Sequence, residues 1–114
     1  MSYDVSLIMQ TGPEMWATAS VCGNMTSNVG AMYRLALPAT DERCAGLPGL
    51  NGLRAEVAIP LLSAAVEAME ADPDRFKAWS PANGWGSYDG ALRYLKGILS
   101  SCQCHPWATI EVSA

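Results

Sequence analysis

Two polar segments carry the side chains best suited to ligand chemistry: Asn24-Met25-Thr26-Ser27-Asn28 and Asn83-Gly84-Trp85-Gly86-Ser87-Tyr88. Each mixes amides and hydroxyls at the start of a helical pattern, where unpaired backbone N–H groups suit phosphate or carboxylate oxygens. Trp85, Trp16, Tyr33 or Tyr88 would stack on a base, and Arg34 or Arg93 would supply positive charge. The expected ligand-binding set is Asn24, Thr26, Ser27, Asn28, Tyr33, Asn83, Trp85, Ser87, Tyr88 and Arg93. Ordinary helix capping uses the same residue types without any ligand, and Trp85 reads equally well as a core plug. The deciding fact is whether the two segments meet in space.

Other chemistry is thinly represented. His105 is the single histidine, and the chain has no Gly-x-Ser-x-Gly elbow, no phosphate-binding loop of the Gly-Lys-Ser/Thr type and no His-Glu-x-x-His pair. No catalytic residue is expected. Cys104 beside His105 does not make a nucleophile dyad, because adjacent side chains point apart and such pairs form across space. Cys22, Cys44, Cys102 and Cys104 lack the paired Cys-x-x-Cys spacing of structural zinc sites and read as reduced packing thiols, so no metal or other cofactor is expected. Glu67 and Glu70 read as a solvated helix face, Asp72 and Asp74 as helix-start residues.

The elements that must position these residues follow from changes of period. Tyr3, Val5, Leu7 and Met9 alternate with Asp4, Ser6, Ile8 and Gln10, the pattern of a half-buried strand that Thr11-Gly12-Pro13 ends. Glu14 to Cys22 reads as a short second strand or an irregular crossover. Ser27 is placed to cap a short helix carrying Val29, Met32, Tyr33 and Ala36, stopped by Pro38. The stretch from Pro38 to Leu53, rich in proline and glycine, reads as a mobile surface loop. A helix follows to Ala71 with Ala58, Leu61, Leu62, Ala65 and Met69 on one face, and Pro60 is expected in the first turn of its main part. Asp72 caps a short helix through Ala78, whose Phe76 and Trp79 should share a face. From Tyr88, capped by Ser87, a stripe of Ala91, Leu92, Leu95, Ile98, Leu99 and Cys102 marks the clearest helix, with Asp89 and Arg93 spaced to pair. Beyond His105-Pro106, a terminal strand with alternating Ile110 and Val112 has the first strand as its mate.

The expected fold is α+β: a small two- or three-stranded sheet formed by the chain ends, covered by three or four helices, in one domain spanning 1–114. The 114 residues, half of them hydrophobic, suffice for one core. At least two of Trp16, Trp79, Trp85 and Trp107 are expected inside it, since a single phenylalanine leaves volume to fill. A net charge of −4 with 16 % charged residues gives no basic track for nucleic acid. No run reaches membrane-spanning length, so no membrane partner is expected.

Thr26-Ser27-Asn28-Val29 with Met32-Tyr33, then Asn83-Gly84-Trp85-Gly86-Ser87-Tyr88-Asp89-Gly90-Ala91, His105-Pro106 and Ile110-Glu111-Val112-Ser113 together resemble a group of small tailed-phage and prophage proteins. The resemblance spans most of the chain and brings no catalytic residues with it. It implies a role against host defence; with no catalytic motif and no leader-like or membrane-spanning run in the sequence, the expectation is a non-enzymatic protein of the host bacterium's cytoplasm. The expectation is sequestration of a signalling nucleotide or similar small anionic ligand. The alternatives are a protein-docking inhibitor of a host defence effector, in the manner of an anti-CRISPR, or a phage accessory protein of another role. Homo-oligomer formation is compatible with each.

Overall fold

The computed structural model describes residues 2–81 and 86–113. Two long strands, β1 (Ser2–Gly12) and β2 (Met15–Thr26), form an antiparallel hairpin turned at Pro13-Glu14, where Glu14 takes φ 60°. A 3-10 turn over Ser27–Val29 leads into α1 (Gly30–Ala36), and a second over Leu47–Leu50 precedes α2 (Ala55–Ala71). Then come α3 (Pro73–Lys77), α4 (Tyr88–Cys104) and β3 (Thr109–Ser113). The strand order is β2-β1-β3, so the chain ends do share an antiparallel sheet, with helices on one face, and the fold is α+β.

Alternation decides which face is covered. Tyr3, Val5 and Leu7 of β1 and Ile110 of β3 point into the core, while Asp4, Ser6 and Ile8 lie on the helix-free side. Against the inner face pack Ala55, Ala58, Leu62, Ala65 and Met69 of α2 and Tyr88, Ala91, Leu95, Ile98 and Cys102 of α4, the latter tracing the expected stripe. Small alanines on both helices let their axes approach, and Tyr33 and Phe76 supply the bulk.

Several expectations are corrected. β2 is a full strand of 12 residues; its uneven apolar spacing arises from extra residues at two bulges, opposite Val5/Ser6 and Leu7/Ile8. α2 runs unbroken through Pro60. The N–H that Pro60 lacks would have met the Glu56 carbonyl, and both residues lie on the exposed side, where water can serve that oxygen. The loop after Pro38 buries Leu47, Gly49 and Leu50, and its end covers the outer edge of β3: Gly52 N–H donates to the Ile110 carbonyl and Ile110 N–H to that of Leu53, both at 2.8 Å. Val112 N–H donates to Asn51 Oδ1 at 2.9 Å. Thr26, not Ser27, caps the 3-10 turn, and Asp72 starts α3 without a side-chain cap bond.

The tryptophans also depart from expectation. Trp16, Trp79 and Trp107 are each at least half exposed, so at most one of the four is in the core. Tyr3, Tyr33, Tyr88 and the methionines Met32 and Met69 fill that volume instead. Phe76 is buried while Trp79, past the end of α3, faces outward. The ion pairs among the described residues are Arg54–Glu56 and Lys96–Glu70, both 3.1 Å and surface-exposed, and the expected Asp89–Arg93 pair is not one of them. No helix among the described residues is long and apolar enough to cross a membrane.

Candidate functional site

The two polar segments do meet. Gly86, with φ +101°, sits so close to the end of β2 that a Cβ there would lie 2.7 Å from Val29 Cγ1 and 2.9 Å from Thr26 Cγ2. Only glycine combines that backbone conformation with that approach. The hydrogen-bonding groups at this junction are nonetheless committed internally. Ser87 Oγ accepts from Gly90 N–H at 3.1 Å and Thr26 Oγ1 from Asn28 N–H at 3.3 Å, both as caps. Asn24 Nδ2 donates to Ser2 Oγ at 2.8 Å and Asp4 Oδ1 at 2.9 Å across the hairpin. Ser27 is partly exposed and Asn28 exposed.

Tyr33 and Tyr88 are core residues, which corrects their assignment as stacking surfaces. The Tyr33 hydroxyl donates to the Ala91 carbonyl at 2.8 Å and that of Tyr88 to the Met69 carbonyl at 2.6 Å. Both rings are buried, Tyr33 edge-on to Tyr3 at 6.4 Å between centroids and Tyr88 with Lys77 Nζ 5.3 Å from its centroid, so neither is a platform for a base. Asn83 and Trp85 lie outside the described residues. Arg93 is exposed and borders a shallow groove of about 310 Å³ between β2 and α4, together with Cys22, Met25 and Tyr94. Arg34 borders a different hollow, with Trp79. The two arginines therefore do not converge on one anion position.

A second surface collects what the first lacks. Beyond Leu7 the hairpin leaves the core, and its distal half carries Met15 and Trp16, 63 % and 54 % exposed. Trp16 lies opposite Gln10, on the helix-free side. Where β3 begins, the chain entering from His105-Pro106 leaves Trp107 beside β1, so that Met9, Gln10, Trp16, Arg54, Trp107 and Thr109 enclose an open cleft of about 280 Å³. Trp16 also walls an adjoining hollow of about 350 Å³ over Ile8, Thr18 and Glu111. Trp107 is held edge-on against His105, ring centroids 5.6 Å apart, and His105 Nδ1 is in turn 3.1 Å from the Ser101 carbonyl. Arg54 is oriented by Glu56. The sequence signal for this site was present but divided: Trp16 and Trp107 are 91 positions apart, and only strand pairing brings them together.

The thiols offer no activated nucleophile. Burial pushes the Cys22 thiol up, against a smaller opposing effect of its hydrogen bond to Ser101, and pushes Cys102 up to about 11 with Cys22 adding to the shift. Both are protonated at neutral pH. Ser20 Oγ donates to Ser101 Oγ at 3.3 Å, tying β2 to α4 at the same point. Cys44 and Cys104 are exposed. Among the described residues no three of histidine, cysteine, aspartate and glutamate are grouped for a metal ion.

Compared with known proteins, the chain matches no protein family, no curated sequence and no solved structure.

Proposed function

We propose that this chain is a non-enzymatic binding protein that docks on another protein through the Trp16–Trp107 cleft. The observation that carries this reading is two half-exposed tryptophans and an arginine around one open cleft. Tryptophan and arginine dominate the energetic centres of protein interfaces, because each offers a large contact area at low cost in side-chain freedom or several directed donors. The resemblance to tailed-phage and prophage proteins supplies the partner class: an effector of bacterial host defence, which the docked chain would block.

Nucleotide capture has one observation in its favour, the junction of the two capping segments at Gly86. Against it stand the burial of both candidate tyrosines and the internal use of the caps. Protein docking is therefore the stronger reading.

The test is a plating assay in hosts carrying single, defined defence systems, with and without expression of this chain. Restored plating with one system identifies the target, which is then purified for titration. Trp16→Ala and Trp107→Ala should each weaken that binding about 30-fold, the equivalent of roughly 2 kcal/mol for an interface anchor. Folding should be unaffected, because both side chains lie outside the core. Native mass spectrometry of the purified chain reads the other case directly: a retained nucleotide-sized adduct, with unchanged binding by both tryptophan variants, would replace docking with sequestration.

A further inference from the structure

The outward-facing residues of β2 are spaced the same in both directions. At β3 the main-chain groups of Ile110 are given to Gly52 and Leu53, so those of Thr109, Glu111 and Ser113 turn toward β1 and meet Ile8, Ser6 and Asp4. Those β1 residues, with Ser2 and Gln10 in the same alternation, therefore face β3. The residues opposite them on β2 face away from the sheet: Trp16, Thr18, Val21, Asn24 and Thr26. Their spacing is two, three, three and two, because the bulges add Ala19 and Cys22 on either side of Val21. The spacing of these outward-facing residues is symmetric about Val21, although Gly23, with φ +91°, has no positive-φ counterpart at Ala19.

A bulged edge is a poor template for a regular strand, which would lose register at each extra residue. A second copy turned about a two-fold axis at Val21 sets its bulged doublet Cys22–Gly23 opposite Ala19–Ser20. The side chains agree with this. β2 contains no charged residue, and between Val5 and Tyr33 the only charge is Glu14 at the hairpin tip. Two copies of an acidic chain, net −4, thus meet along this edge without opposing like charges. The strand also lacks the lysine or proline that usually protects an open edge. Val21, at the centre of that spacing, is 73 % exposed, the most exposed large apolar side chain among the described residues. On the flanking surface of α4, Gly97 leaves open space beside the edge.

We propose that a second copy of this chain pairs antiparallel along β2 about a two-fold axis at Val21, extending the sheet to six strands. Trp16 then lies opposite Thr26 of the second copy, Thr18 opposite its Asn24, and Val21 opposite its Val21. Trp16 belongs to both surfaces, whereas Val21 lies only on this edge and Trp107 only at the cleft, so dimer loss is read with the Val21 variants and loss of docking with Trp107→Ala.

Sedimentation equilibrium tests it. The wild-type chain should run at twice 12.1 kDa, and Val21→Lys, which sets two ammonium groups against each other at the axis, should return it to 12.1 kDa. Ser113→Lys, on the far strand, should remain dimeric. In a Cys44→Ser/Cys104→Ser background, Val21→Cys should cross-link to itself under mild oxidation, since directly opposed residues bring their Cα atoms within disulfide reach. A wild-type chain that stays at 12.1 kDa at its highest soluble concentration, a Val21→Lys variant that remains dimeric, or a Val21→Cys dimer that does not cross-link would each overturn the proposal.

Discussion

Removing one hydroxyl should cost this fold more at Tyr88 than at Tyr33, although both are buried and both donate to a helix carbonyl. The Tyr33 hydroxyl meets Ala91, inside α4, whose carbonyl also accepts the helical N–H of Leu95. Tyr33→Phe leaves that oxygen with a partner, so its cost is that of an ordinary hydrogen bond, about 1 kcal/mol. The Tyr88 hydroxyl meets Met69, four residues before Pro73. A proline has no N–H, so the helical partner of the Met69 carbonyl is missing and Tyr88, at 2.6 Å, replaces it. Tyr88→Phe leaves a buried acceptor without a partner, which costs about 2 kcal/mol. In a domain of this size that lowers the midpoint of thermal unfolding by roughly 8 °C, against roughly 4 °C for Tyr33→Phe. Urea and thermal unfolding followed by circular dichroism measure both. Equal losses for the two variants, or a smaller loss for Tyr88→Phe, would refute the argument from Pro73.

Three more outcomes are expected. Gly86→Ala forces a side chain into a positive φ and against Val29 and Thr26, so the urea midpoint should fall by the equivalent of roughly 2–4 kcal/mol; an unchanged midpoint would mean that the two polar segments are not locked together there. Stability should decline in alkali, because the folded chain holds protons that the unfolded chain releases. Burial raises Cys102 from 9.0 to about 11 and Tyr94 from 10.0 to about 12, so their contribution is complete below pH 9 and is lost as the pH rises through 11 and 12; unfolding curves that do not move across that range contradict it. With a thiol reagent at pH 8, Cys44 and Cys104 should react rapidly, the half-buried Cys22 more slowly, and Cys102 only on unfolding. Rapid release of all four thiols from the native protein would show that the β2–α4 seam is open.

Much of the architecture was legible because it rests on short-range rules. Alternation along β1 and β3 marks one buried face, the stripe on α4 has the helical period, and Ser87 caps that helix as its chemistry requires. Element types misread from the sequence share one cause, a local signal overridden by tertiary context. Bulges blur the period of β2, Pro60 is tolerated where its missing bond faces solvent, and Leu47 and Leu50 are drawn from a loop into the core because they complete it.

The functional surface was legible only in part. Composition identified Trp16 and Trp107 as large rings needing an explanation, but whether a ring is buried depends on how much volume other residues already fill, and here tyrosines and methionines fill it. Likewise, the approach of Gly86 to Thr26 and the cleft between Trp16 and Trp107 join residues far apart in the chain. The sequence by itself determined which segments are strands or helices at the chain ends and where α4 starts, because capping, alternation and periodicity act within a few residues. Only the tertiary structure decided which aromatic rings face water, which carbonyl Tyr88 serves and which main-chain groups of β2 remain unpaired, because burial and strand register are properties of contacts between distant segments.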